Sequence, residues 1–405
     1  MLDALRVHAP AQPPAQARLL SFGPDAGPVE LGPLNVLIGP NGSGKSNFLE
    51  AIGLLHAAPG DLARPVREGG GVGAWLWQGE VGATAEIEAV LEHPASPGGG
   101  LRHRIAFAEV GQRLELVDER IESAQPRLRS KKPAIFYGHE GGRPMLHVNG
   151  RPSPRLSRQD IDPQRSILAQ RKDPEQYPEL AFISDAYEQI RLHREWTFGA
   201  GAAPRRPQPT DLPSAYLLPD ARNLGLILNR LRRDVPTKRL LVEALQQCFP
   251  GITDFSVQID SATVQIFLEE ARWSLPATRL SDGTMRWLAL LALLLDPKPP
   301  PLIVIEEPEL GLHPDLIRSL GELLRRASER TQLIVTTHSG ALLDTFSDMP
   351  DVVLVCEREQ GSTSMRRLER DVLADWLKDY SVGSTRPGCA SGARTRRRCS
   401  PSWRD

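Results

Sequence analysis

Cysteine is scarce and scattered in this chain. The four residues, Cys248, Cys356, Cys389 and Cys399, show no C-x-x-C spacing, so neither a zinc site nor a disulfide framework is indicated. The longest apolar run, Trp287 to Leu295, is far too short to span a bilayer, and no membrane insertion is expected. The N-terminus carries Asp3 and prolines in place of an apolar stretch, which speaks against a signal peptide. A reducing cytoplasmic setting is therefore expected. The net charge of −1 singles out no partner. Nothing between Ser46 and Leu280 repeats in heptads, which excludes a long coiled-coil arm.

What the chain has in quantity is turn chemistry: 36 prolines and 34 glycines predict many short connections. A hydrophobic content of 40% with 24% charge describes a soluble globular protein, and 405 residues predict two or three domains.

One stretch organises the rest. Gly39-Pro40-Asn41-Gly42-Ser43-Gly44-Lys45-Ser46 follows the apolar run Val36-Leu37-Ile38 and precedes a helical pattern from Phe48 to Ile52. Strand, glycine-rich loop and helix in that order make a Walker A phosphate cradle. The glycines let backbone N–H groups converge on phosphate oxygens, and the helix N-terminus adds its partial positive charge. Lys45 is placed to reach the β- and γ-phosphates, and the Ser46 hydroxyl to ligate Mg²⁺.

Around this stretch the pattern is largely one of strands. Arg18 to Phe22 and Pro28 to Leu31 read as strands about a turn at Gly23 to Asp25. Val81 to Leu91 alternates as an antiparallel strand, answered by His103 to Ala108, Arg113 to Asp118 and Met145 to Val148, the last closed by Asn149-Gly150. From Arg120 to Lys172 twelve Lys/Arg stand against four Asp/Glu. Such a segment suits phosphate backbones, or is a solvated, proline-broken region; no interleaved aromatics support base stacking. Asp173 to Thr197 then carries a helical stripe of Leu180, Ile183, Tyr187, Ile190 and Arg194. Gly199 to Pro213 reads as a linker, and Leu224 to Leu231 and Lys238 to Cys248 as helices. Ile252 to Ile259 and Thr263 to Glu269 form a hairpin.

Two further motifs lie downstream. Leu280-Ser281-Asp282-Gly283-Thr284 opens an almost wholly apolar helix from Met285 to Leu294, and presents N–H groups and a dipole suited to an anion. Pro301 to Ile305 is an apolar strand that runs into Glu306-Glu307, a Walker B pattern; adjacent acids repel unless a cation or a reaction needs them. Glu306 is the expected metal ligand and Glu307 the general base. The strand Gln332 to Thr336 ends in Thr337-His338-Ser339, which brings His338 to the edge where parallel strands converge on the γ-phosphate.

In this order the motifs resemble the ABC-type ATPase head of the RecF/SMC/OLD-like group, in its bacterial AAA-family form without a Toprim domain. Gly39 to Ser46 corresponds to Walker A, Leu280 to Thr284 to the signature loop, Leu302 to Glu307 to Walker B, Glu309 to Pro314 to the D-loop and His338 to the switch histidine. The chain departs from the pattern at Glu306, where the group usually has Asp. It also lacks an evident Q-loop glutamine, with Gln78 the nearest candidate.

The resemblance implies an α/β P-loop fold, a mostly parallel sheet flanked by helices with an antiparallel β lobe and a helical insert. It implies ATP and Mg²⁺ as cofactors, and Lys45, Glu307 and His338 as catalytic residues. It further implies a nucleotide-dependent homodimer in which Ser281 and Gly283 of one copy close on the Walker A loop of the other. The expected divisions are an N-terminal ATPase lobe over 1–119, a basic helical insert over 120–250, a C-terminal ATPase lobe over 251–380 and a disordered tail over 381–405. Head dimerisation coupled to DNA maintenance or repair is the first functional expectation. An ATPase controlling a separate effector nuclease in anti-phage defence is the second, and transport is a third, disfavoured by the unclear Q-loop and the large insert.

Overall fold

A computed structural model describes residues 2–8, 29–76, 84–93, 100–126, 132–140, 143–148, 151–152, 160–359 and 362–368. The expected strand at 18–22 and turn at 23–25, Gln78, the basic residues 127–131, the Asn149-Gly150 turn and the tail after Tyr380 lie outside these. Among the described residues no helix is long and apolar enough to cross a membrane.

The fold is the expected α/β one. Its central sheet has six strands in the order Arg191–His193, Leu302–Glu306, Gln332–Thr336, Leu34–Ile38, Val353–Glu359 and Ser362–Arg367. All neighbours are parallel except the last pair. Parallel strands covered on both faces read as continuous apolar runs, and here alternate residues enter two separate cores. Val36, Ile38, Ile303, Ile305, Leu333 and Val335 pack on one side. Leu37, Leu302, Val304, Ile334, Leu354 and Cys356 pack on the other.

The helix Asp282–Leu294 is buried over most of its circumference in the first core, as a helix apolar all round must be. Trp287 is wholly buried and its indole N–H donates to the Ala244 carbonyl at 3.0 Å. The helix Lys45–Ala57 fills the second core with Phe48, Leu49, Ile52 and Leu55.

Over the second core lies an eight-stranded antiparallel sheet, in the order Val29–Glu30, Leu2–His8, Thr84–Glu92, Gly100–Val110, Arg113–Ser123, Ile135–Glu140, Arg143–Val148 and Arg151–Pro152. It contains the expected meander, extended by the strand Leu2–His8, which pairs with both Val29–Glu30 and Thr84–Glu92. A buried carboxylate pins it to the neighbouring chain: Glu119 accepts from the Ile167 amide at 2.8 Å and the Ser166 hydroxyl at 2.5 Å, and pairs with His103 Nε2 at 3.0 Å.

Three expectations need correction. The helical insert does not begin at 120: residues up to 123, and again 135–152, continue the antiparallel sheet. Cross-strand pairing decides this: Arg102 bonds Glu122 at 3.1 Å, Ile121 pairs with Tyr137, and Tyr137 pairs in turn with Leu146. Helix over 173–197 is limited to Pro178–Glu188. Arg191–His193 is instead extended, because pairing with Leu302–Glu306 satisfies its backbone. The segment 199–213 is not a loose linker. Arg205 is 4% exposed, and its guanidinium donates to the carbonyls of Phe198 at 2.6 Å and Ala277 at 3.2 Å, to that of Leu280, and to the Asp282 carboxylate.

That guanidinium fastens the segment before the Ser281 turn to the start of the apolar helix. Arg205→Ala removes charged hydrogen bonds from a buried site and is expected to destabilise the chain by about 3 kcal/mol. Urea unfolding of the variant against wild type measures this.

Candidate functional site

The carboxyl ends of the parallel strands carry the site. The Walker A loop turns sharply between Ile38 and Lys45, and its glycines are sterically required. Gly39 has φ 146°, and a Cβ there would lie 2.2 Å from the Cys356 carbonyl oxygen. Gly44 has φ 104°, and its Cβ would lie 2.3 Å from Thr363 Oγ1. Ser43 Oγ is buried and has no hydrogen-bond partner among the described residues. A buried hydroxyl without a partner inside a glycine cradle fits an anionic ligand held by N–H and O–H groups.

Lys45 opens the helix with its ammonium turned back along the loop, donating to the carbonyls of Gly39 at 2.7 Å and Pro40 at 3.2 Å. Burial lowers its pKa, and the carboxylates of Glu307 and Glu306 oppose that shift. Burial also pushes the Cys356 thiol up to about 12, so it is a neutral core group.

Beside Lys45, Ser46 Oγ donates to Glu306 Oε1 at 3.0 Å. These two side chains are 260 positions apart in sequence and meet because the strand leading to the Walker A loop and the strand Leu302–Glu306 flank Gln332–Thr336 in one sheet. Two hard oxygen donors suit Mg²⁺, which keeps several waters and takes one or two protein oxygens plus phosphate. No group of three or more His, Cys, Asp or Glu side chains able to hold a metal exists among the described residues.

Glu307 has φ 47°, a left-handed conformation unusual for a residue with a side chain. Its amide donates to the Thr336 carbonyl at 3.0 Å and to Thr336 Oγ1 at 3.2 Å, while its own carbonyl accepts from Arg286 at 3.3 Å. Held this way, Glu307 Oε1 stands 3.5 Å from His338 Nε2. The His338 backbone is fixed in turn by Glu309, whose carboxylate accepts from the His338 amide at 3.2 Å and the Thr337 hydroxyl at 2.5 Å.

Of the expected site residues, Lys45, Ser46, Glu306, Glu307 and His338 thus gather at one edge. Ser281 and Gly283 do not join them by any described hydrogen bond. Ser281 Oγ caps its helix by accepting from the Thr284 amide at 3.1 Å. A Cβ on Gly283 would sit 2.7 Å from the Gly311 carbonyl oxygen, so the signature turn packs against the loop Glu309–Pro314.

Two residues at this edge escape a reading of motifs. Arg194 Nε donates to Glu306 Oε2 at 3.0 Å, and its guanidinium lies 3.7 Å from Glu50 Oε1. The Glu50 carboxyl is raised by burial, with Arg194 pulling it back. Arg286, one turn past the signature, donates to the carbonyls of Trp196 at 3.0 Å and Glu307 at 3.3 Å, and lies over the rings of Trp196 and Phe198. Neighbouring His193 is held neutral, its pKa pushed down to about 3 chiefly by burial, and its Nδ1 accepts from the Trp196 indole at 3.2 Å.

A family model described as "AAA domain, putative AbiEii toxin, Type IV TA system" matches residues 34–344, from the strand before the Walker A loop to the helix after His338. The chain belongs to this AAA-domain family. Among solved structures it is similar to an SMC head bound to the C-terminal winged-helix domain of ScpA, at 14% identity and a TM-score of 0.53, over 92% of this chain and 99% of that one. An SMC head from Pyrococcus furiosus with an extended coiled coil, bound to the C-terminal domain of ScpA, aligns at 13% identity and a TM-score of 0.49. It covers 94% of this chain and 99% of its own. At such identity the likeness to the first of these shows the fold alone, that of an SMC head. No protein of curated function matches the sequence. As a member of the AAA-domain family the chain is an ATPase-type, nucleotide-binding protein.

The strain at Glu307 is measurable. A left-handed non-glycine residue costs of order 1–3 kcal/mol, which exceeds the added chain entropy of glycine. Glu307→Gly is expected to raise stability by about 1 kcal/mol, whereas Glu307→Ala, which keeps a Cβ, gains nothing. Chemical unfolding midpoints of the two variants check this.

Proposed function

We propose that this AAA-domain protein binds ATP with Mg²⁺ and hydrolyses it slowly, and that nucleotide drives two copies together. The observation that carries the reading is the meeting of Ser46 with Glu306 at 3.0 Å beside Glu307 and His338 at 3.5 Å. The Walker A amides from Gly39 to Ser46 bind the phosphates, and Lys45 exchanges its loop carbonyls for phosphate oxygens. Ser46 and Glu306 hold the metal, which when bound neutralises charge on the phosphate being transferred. Glu307 accepts a proton from water at its half-buried carboxylate, and His338 orients it.

The pairing reading gains support from the signature side. Ser281 and Gly283 make no described bond to their own Walker A loop, and Leu310, 53% exposed, stands on the loop packed against Gly283. In this reading Ser281 and Gly283 of one copy close the nucleotide site of the second.

The cellular task is a choice between two readings. The fold is similar to an SMC head, which favours DNA maintenance or repair in the cytoplasm. The family description, with its toxin–antitoxin wording, favours an ATPase that controls a separate effector in defence. DNA binding with a steep inverse dependence on salt supports the first; binding that is absent or insensitive to salt supports the second.

Two variants test the chemistry. Lys45→Ala is expected to weaken binding of a fluorescent ATP analogue by about 10- to 100-fold, the value of a charged hydrogen bond. Glu307→Gln is expected to bind ATP and Mg²⁺, lose hydrolysis and sediment as a stable dimer where wild type dimerises only transiently. Monomers of both that still bind ATP would overturn the pairing reading.

A further inference from the structure

Arg194 is the cation at this site that no motif assigns. The strand Arg191–His193 runs parallel to Leu302–Glu306, with Leu192 beside Val304 and His193 beside Ile305. The next residue along, Arg194, therefore comes level with Glu306, and its guanidinium donates to Glu306 Oε2 while Ser46 donates to Oε1. Both oxygens of the carboxylate are thus engaged. The side chain also neutralises Glu50, which lies one helical turn beyond Ser46.

The backbone on both sides of Arg194 is fastened. His193 is in the sheet and accepts from Trp196; the Trp196 carbonyl accepts from Arg286; the Phe198 carbonyl accepts from buried Arg205. Only the side chain of Arg194, about a third exposed, is free to change partner.

We infer that Arg194 competes with the divalent metal for Glu306, so that metal and nucleotide load together. The inference rests on the metal-binding reading of Ser46 and Glu306. A divalent ion on that carboxylate repels a guanidinium hydrogen-bonded to it, so the ion binds poorly until Arg194 moves to a stronger acceptor than Glu50. Phosphate oxygens in the adjoining Walker A cradle are such acceptors, and the planar fork of Arg suits them. Nucleotide draws Arg194 off Glu306, which releases the carboxylate to the metal. The coupling is reciprocal, as binding linkage requires.

Mn²⁺ titration of the full chain, with free ion counted by electron paramagnetic resonance, tests this without any turnover. In the absence of nucleotide, Arg194→Ala and Arg194→Gln are expected to bind Mn²⁺ at least ~10-fold more tightly than wild type. With a saturating non-hydrolysable ATP analogue the difference shrinks to within about threefold. Arg194→Lys, which keeps the charge, behaves like wild type and controls for a folding defect. Adding Glu306→Gln to Arg194→Ala abolishes the gain, which locates the ion.

Equal Mn²⁺ affinity of wild type and Arg194→Ala without nucleotide overturns the inference. So does a gain that is just as large with the analogue bound. If wild type binds no ATP analogue at all, the nucleotide reading fails, while the nucleotide-free Mn²⁺ comparison still decides whether Arg194 guards Glu306.

Discussion

The site depends on the position of one strand, Leu302–Glu306, in the parallel sheet. Pairing on one side with Gln332–Thr336 sets Glu306 beside Thr336, and pairing on the other with Arg191–His193 brings Arg194 alongside Glu306. The strand is buried on both faces, so a slip of one residue would exchange its two core faces and turn the acids away from the Walker A loop. Hydrophobic packing thereby fixes the place of charged groups that repel one another. Without it, two adjacent glutamates would not be held against a lysine-bearing loop.

Around this strand the arginines act as fasteners, each joining carbonyls that have no other means of staying together. Arg205 ties the segment after Phe198 to the turn before Ser281, and Arg286 ties the signature helix to Trp196 and to the backbone of Glu307. Arg286 joins the helix Asp282–Leu294 to the Glu307 backbone, and Gly283 packs against Gly311 just beyond it. Glu307 already occupies a left-handed conformation, the kind of local strain that functional sites keep because surrounding bonds over-determine it. These bonds hold the helix Asp282–Leu294, the end of the strand Leu302–Glu306 and Glu307 to one another.

The contrast between legible and hidden features follows from how far apart in sequence the interacting groups lie. The Walker A loop was legible because its requirement is local. Gly39 and Gly44 need conformations closed to other residues, and Lys45 and Ser46 follow directly. Ser281 as a helix cap and the apolar run to Leu294 were legible for the same reason. Arg194 was not: its position on a helical stripe pointed to a core face, and its partner Glu306 is 112 positions away. The strand Ile135–Glu140 was likewise hidden, although Met145 to Val148 read as a strand. Tyr137 pairs with Ile121 on one side and Leu146 on the other, and this pairing carries the sheet through a segment whose basic character looked like a loop.

The amino-acid sequence by itself determined a phosphate-binding α/β fold, because glycine placement, apolar runs and paired acids act over a few residues and need no distant partner. Only the tertiary structure decided which charges meet. The triad of Ser46, Glu306 and Arg194, the hold of Arg286 on Glu307 and the burial of Arg205 each join segments remote in the chain. Their energies come from desolvated hydrogen bonds that exist only once the cores have closed on both faces of the sheet.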